Sequence, residues 1–135
     1  MYSLVLIDDE YTFLENLKTH IPFDDLKIKL VGCAANGVDG LKCIETFNPD
    51  IVICDINMPL MSGVELLNHL GERKIKLIFL TAHADFKYAK LAISYGVVEY
   101  LLKPVFPPDI IKALRKCIKL ITDGHQNMSA HQIYL

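Results

Sequence analysis

Five short runs of Val, Ile and Leu recur along this chain, and each is followed by a stretch of helical period. The runs are Leu4–Ile7, Leu30–Ala34, Ile51–Cys54, Leu77–Leu80 and Val97–Leu102. Most lack in/out alternation, the pattern of strands covered on both faces. The helical segments between them are expected at about Thr12–His20, Val38–Phe47, Val64–Leu70, Asp85–Tyr95 and Pro108–Ile121. Punctuation agrees: Asn36-Gly37 marks a turn, Asn48-Pro49 stops the second helix, Gly96 fits just past the fourth, and Pro108 suits the first turn of the fifth. In that fifth segment Ile110, Ala113, Leu114, Cys117, Ile118 and Ile121 share one face, with Lys112, Arg115, Lys116 and Lys119 elsewhere as a solvated basic face. Five strand-then-helix units predict an α/β fold with a parallel sheet between two helical layers. After Ile121 the chain turns polar, and Thr122–Leu135 reads as a tail or the start of a linker behind a domain spanning 1–121.

Composition narrows the function. The 135 residues suit one domain, and 52% hydrophobic content is enough for a core without disulfides and excludes disorder as the main state. Fourteen Lys and Arg against sixteen Asp and Glu leave a net charge of −2, without the basic excess of a domain that binds nucleic acid by itself. No apolar run approaches the roughly 18 residues of a membrane span. Met1–Ile7 carries no positive n-region, so it does not read as a signal peptide. The four cysteines lack CxxC spacing and lie in apolar stretches, as buried reduced thiols of a cytoplasmic protein would. Neither G-x-G-x-x-G after the first strand nor a P-loop occurs, which argues against the two common nucleotide-binding versions of such a sheet.

Chemistry collects where the strands end. The first run is closed by Asp8-Asp9-Glu10, the third by Asp55, the fourth by Thr81 and Ala82, the fifth by Lys103-Pro104. In a parallel doubly wound sheet these ends share one edge, where such folds bind ligands. Close carboxylates repel unless a proton or cation neutralises them, and hard oxygen ligands suit Mg²⁺. A carboxylate beside a metal can serve as a nucleophile towards phosphorus, with Thr81 donating to one phosphoryl oxygen and Lys103 pairing with another. The set reads as a phosphoryl-transfer site that uses an Asp.

The four motifs that carry these residues are Asp8-Asp9-Glu10, "DINMPLMSG" from Asp55 to Gly63, "LTA" from Leu80 to Ala82, and "YLLKP" from Tyr100 to Pro104. With them in this order, the chain from about Tyr2 to Ile121 resembles the receiver domain of two-component response regulators, the flavodoxin-like family that includes the chemotaxis receiver protein. The resemblance implies a doubly wound five-stranded parallel sheet of order 2-1-3-4-5 with five helices. It implies Asp55 as phosphoacceptor, Mg²⁺ (or Mn²⁺) held by Asp9 directly, by Asp8 through water, by Asp55 and by the backbone carbonyl of Asn57. Thr81 and Lys103 would hold the phosphoryl group, and Tyr100 would be the switch aromatic that turns from exposed to buried when Thr81 moves. Asn57 and His83 lie where the family tunes dephosphorylation, and the Lys103-Pro104 bond is cis in much of it. A sensor histidine kinase is the implied partner. "ADFKYAKLAISYGVVEYLLKPV", from Ala84 to Val105, and "IPFDDLKIKLVGCAANG" are similar to receivers joined to an AraC-type DNA-binding domain, which implies a transcriptional output outside this chain or, alternatively, a stand-alone receiver acting by protein contact. A phosphorylation-dependent homodimer is a further expectation.

Each residue also has a plainer role available. Asp55 could cap a helix, Asp8 and Asp9 could be a solvated turn, Lys103 an ordinary ion pair, Thr81 a strand end and Tyr100 packing. His20, His69, His125 and His131 show no metal spacing and read as surface residues, while Phe86, Tyr88 and Tyr95 could be core or partner surface. Two other functions compete. A haloacid-dehalogenase-type phosphatase also uses an Asp after a buried strand, but needs a second Asp two residues on, where this chain has Asn57, and its nucleophile follows the first strand rather than the third. A pseudo-receiver that only binds partners would normally lack one of the acids or the Lys, and all are present.

Overall fold

The structure, a computed structural model, describes residues 1–58, 60–71, 73–82 and 86–134, with side chains for all of these except 86, 88 and 125–134. Five strands, β1 (Tyr2–Ile7), β2 (Ile28–Ala34), β3 (Ile51–Asp55), β4 (Lys76–Thr81) and β5 (Glu99–Leu102), alternate with α1 (Tyr11–His20), α2 (Gly37–Phe47), α3 (Gly63–Leu70), α4 (Phe86–Ser94) and α5 (Pro107–Tyr134). All neighbouring strands pair in parallel in the order β2-β1-β3-β4-β5. This is the flavodoxin-like, doubly wound arrangement expected from the strand-end pattern.

The unbroken apolar runs have a direct explanation. Leu4, Leu6, Ile51, Ile53, Ile78 and Leu80 face one layer, where Leu14 and Leu17 of α1 meet Ile110, Ala113, Leu114 and Cys117 of α5. Their neighbours Val5, Ile7, Val52, Cys54, Leu77 and Phe79 face the other, against Ile44 of α2, Leu66, Leu67 and Leu70 of α3 and Ala92 of α4. Successive side chains point to opposite faces of a strand, so a strand buried on both sides needs an apolar residue at every position. Two helices, α2 and α3, start on sequence-local caps: Asn36 Oδ1 accepts from the Asp39 N–H at 2.8 Å, and Ser62 Oγ accepts from the Glu65 N–H at 3.1 Å.

Boundaries differ from the sequence expectation in places. β5 begins at Glu99 rather than Val97, because Val97 and Val98 complete the turn after α4, where Gly96 takes a φ of +74° and the Val98 N–H donates to Leu77. α5 continues past Ile121 to Tyr134. Polar composition alone does not end a helix: Thr122–Tyr134 holds no proline, its single Gly124 costs only about 1 kcal/mol relative to Ala, and the Thr122 hydroxyl bonds the Tyr2 hydroxyl at 3.0 Å. Cys54 and Cys117 are buried and Cys33 and Cys43 half-buried, all four as free thiols. His20 and His69 are exposed, as expected, and Tyr95 ties α4 to α3 through its hydroxyl, which donates to Asn68. Asp85, the side chains of Phe86 and Tyr88, and those of His125 and His131 lie outside the described residues. Among the described residues, no helix is long and apolar enough to cross a membrane.

One close approach sets the height of α3 against the site. A Cβ on Gly63 would sit 2.9 Å from the Asp55 carbonyl oxygen and 3.0 Å from Ile56 Cα, both backbone atoms that cannot swing away. Gly63→Ala is therefore expected to lower stability by about 1–3 kcal/mol, the usual range for overpacking. A urea titration in which the midpoint falls while the slope stays constant would show it; an unchanged midpoint would mean that α3 shifts freely.

Candidate functional site

The sheet delivers its strand ends to one place. Parallel register sets Ile7 beside Cys54, Asp55 beside Leu80 and Thr81 beside Leu102, so Asp8, Asp55, Thr81 and Lys103 leave their strands on one edge. Backbone bonds fix that edge: the Asp8 N–H donates to Ala34, the Ile56 N–H to Leu80, and the Lys103 N–H to Thr81 at 2.7 Å. The Lys103-Pro104 peptide is cis.

Asp8, Asp9 and Asp55 each bring a carboxylate oxygen within 4.8 Å of the others. Asp8 and Asp55 are buried and Asp9 is exposed. Local backbone orients both buried groups: the Glu10 N–H donates to Asp8 Oδ1 at 2.9 Å and the Asn57 N–H to Asp55 Oδ1 at 3.1 Å. Lys103 Nζ lies 2.9 Å from Asp8 Oδ2, 2.9 Å from Glu10 Oε1 and 3.4 Å from Asp55 Oδ2, with the Phe13 ring centroid 4.7 Å away.

Electrostatics follow from burial and this one ammonium. Burial raises the pKa of Asp8 and of Asp55, each opposed chiefly by Lys103 and by a backbone N–H. Lys103 is raised too: burial alone would lower it, but hydrogen bonds to Asp8 and Glu10 and the charges of Asp8 and Asp55 outweigh that. The ammonium therefore stays charged at neutral pH, and the carboxylates are short of positive charge. A divalent cation fits that deficit. Asp8 Oδ2 is buried and, among the described residues, meets only the Lys103 ammonium, and such an oxygen suits a hard cation.

The remaining expected residues fall as follows. Thr81 is fully buried at the end of β4. Asn57 is exposed, two residues beyond Asp55. Tyr100 departs from the expectation of an aromatic exposed at rest: its hydroxyl is already out of solvent. The register explains this, because Tyr100 pairs with Phe79 on β4 and packs with it into the layer shared with α3 and α4. His83 lies outside the described residues. Glu10 and Phe13 are the site residues that sequence reasoning missed. Glu10 counted only as part of an acidic run, and its place beside an ammonium 93 positions away has no local signal.

Comparisons with known proteins agree with this geometry. Residues 4–115 match the family model of the response regulator receiver domain. The chain belongs to that family, the regulatory phosphoacceptors of two-component systems. It is 40% identical over 139 aligned residues to the transcriptional regulatory protein HptR of Staphylococcus aureus, covering 99% of this chain and 55% of that protein, so the chain spans about half the length of the curated relative it matches. Among solved structures, the receiver domain of AraT, a response regulator from Geobacillus stearothermophilus, superposes with a TM-score of 0.84 at 25% identity, covering 92% of this chain and 98% of that one. A LuxR-family DNA-binding response regulator from Staphylococcus aureus gives 0.77 at 27% identity, covering 87% of this chain and 98% of that one. HptR is thus a transcriptional regulator and the LuxR-family protein a DNA-binding response regulator, and neither name singles out an AraC-type output.

Proposed function

We propose that this domain accepts a phosphoryl group on Asp55 from a sensor histidine kinase in the cytoplasm, and that the change in the α4, β5 and α5 surface controls transcription through an AraC-type DNA-binding domain in a longer chain. The observation that carries the reading is the convergence of Asp8, Asp9 and Asp55 within 4.8 Å, with the Lys103 ammonium 3.4 Å from Asp55. Asp9 would hold Mg²⁺ (or Mn²⁺) directly and Asp8 through water, with Asp55 and the Asn57 carbonyl completing the set. When bound, the cation supplies positive charge that neutralises the carboxylates and the phosphoryl oxygens. An Asp55 oxygen attacks phosphorus, the bond from phosphorus to the donor's imidazole nitrogen breaks, and the donor departs with the electron pair. Lys103 pairs with one phosphoryl oxygen and the Thr81 hydroxyl donates to another. Asn57 and His83 tune the water that later removes the group.

Incubation with acetyl phosphate and Mg²⁺ tests this. A slowly decaying covalent phosphate is expected. Rapid turnover would mean a phosphatase instead, and no labelling of folded protein would mean a pseudo-receiver.

On this face large apolar side chains stand exposed: Ile93 of α4 is 78% exposed, Leu102 of β5 49%, and Phe106, just before α5, 61%. Phosphorylation, or a beryllofluoride mimic, is expected to close this face into a symmetric dimer with a coupling of about 1–3 kcal/mol, and Thr81→Ala to weaken that response. Sedimentation with and without the mimic decides it, and an unchanged mass at high concentration would leave contact with an output domain as the route.

A further inference from the structure

Lys103 has three N–H donors and, among the described residues, three carboxylate partners, but the three are not equivalent. Asp8 and Asp55 belong to the cluster that can share a cation, and Glu10 does not. Once Asp8 is committed to a cation and Asp55 carries a phosphoryl group, neither can serve Lys103 as it does in this structure. Glu10 can.

Its placement suits that purpose. Glu10 stands at the N-cap of α1, yet its side chain makes no capping bond and instead reaches Lys103 Nζ at 2.9 Å. Its own N–H holds Asp8 Oδ1 at 2.9 Å, so the rim carboxylate and the buried one are tied to the same turn. One helical turn on, the Phe13 ring covers another side of the ammonium at 4.7 Å. These groups border a cleft of about 350 Å³ that is also lined by Ala82, Pro104 and Val105. The Glu10 side chain is 58% exposed, whereas that of Asp8 is 1% exposed, so Glu10 bears its charge in water and holds Lys103 without itself drawing a cation inward.

We propose that Glu10 is a positioning residue: it gives Lys103 a partner at the rim, so that Asp8 is released to Mg²⁺ while the ammonium stays beside Asp55. This rests on the Mg²⁺-dependent phosphoacceptor reading above. Without Glu10, Lys103 is left with Asp8 and Asp55 alone and competes with the cation for them. Exposed ion pairs add little stability, so losing the Glu10 charge shows in metal affinity rather than in folding.

The test is calorimetric titration of the metal-free chain with MgCl₂, for the wild type, Glu10→Gln, Lys103→Met and the double variant. Glu10→Gln is expected to weaken Mg²⁺ binding about threefold or more, with an unchanged melting temperature, and the factor is expected to shrink when Lys103 is absent. Unchanged affinity in Glu10→Gln overturns the proposal. So does an equal factor in both backgrounds, which would mean that Glu10 acts on the cation through space alone. A wild type that binds no Mg²⁺ overturns both this proposal and the metal part of the reading it rests on, whereas Mg²⁺ binding indifferent to Glu10 overturns this one only. Should Lys103→Met fail to fold, the Lys103 Hε–Cε NMR signal in Mg²⁺-saturated protein decides: ordered in the wild type and averaged in Glu10→Gln is the expected result, and averaged in both overturns it.

Discussion

Asp55→Asn is expected to abolish labelling by acetyl phosphate, a loss of about a hundredfold or more, while leaving a folded and in one respect more stable protein. The amide keeps the shape and can still accept from the Asn57 N–H through Oδ1, but it offers no anionic oxygen to phosphorus. Lys103 keeps its two nearer partners, Asp8 and Glu10, at 2.9 Å. The stability change depends on pH. Burial raises the Asp55 pKa in the fold, so the folded protein binds that proton more tightly than the unfolded chain, and metal-free stability falls as pH rises through the interval between the two values. Asn has no proton to lose. The denaturation midpoint of metal-free Asp55→Asn should therefore gain on wild type more at about pH 7 than at about pH 4. Lys103 does not disturb the comparison: its raised pKa adds stability that is complete below the ordinary value of 10.5 and lost only as pH climbs through the folded one. Persistent labelling of folded Asp55→Asn would place the acceptor elsewhere.

Lys103→Met is expected to move two properties in opposite directions. Its side chain, 10% exposed, is the cation that Asp8, Asp55 and Glu10 share. Removing one partner of a buried ionic cluster typically costs 3–5 kcal/mol; because Glu10 is solvated and the raised Asp carboxyls can take up a proton, about 2–3 kcal/mol is expected for the metal-free protein. Mg²⁺ affinity should rise about tenfold or more, since a unit positive charge and a competitor for Asp8 both disappear. Urea titrations without metal and calorimetry with it measure the pair of effects. Loss of stability together with loss of Mg²⁺ affinity would mean that Lys103 builds the pocket rather than competing within it.

The architecture was legible because burial on both faces of the inner strands forces an unbroken apolar run through the middle of each, a pattern that survives without any knowledge of contacts. Asp8, Asp55, Thr81 and Lys103 were legible for a related reason: each is the first polar residue after such a run, and a parallel sheet sends all such ends to one edge. What escaped depends on side-chain direction or long-range pairing. The reach of Glu10 to Lys103 joins residues 93 apart and follows from which way a rim side chain turns. The buried hydroxyl of Tyr100 follows from its pairing with Phe79, which strand register sets and strand composition does not. The extent of α5 is not legible because a polar stretch looks like a break, although a helix ends on backbone conformation and Pro or Gly chemistry rather than on polarity.

The most direct test of the central claim reads the modified atom itself. Wild-type protein incubated with acetyl phosphate and Mg²⁺, reduced with borohydride to trap any acyl phosphate, and mapped by peptide mass spectrometry should show Asp55 converted to homoserine, with no conversion when EDTA replaces Mg²⁺. An unmodified Asp55 in folded, Mg²⁺-bound protein, or conversion of a different carboxylate, would contradict the account.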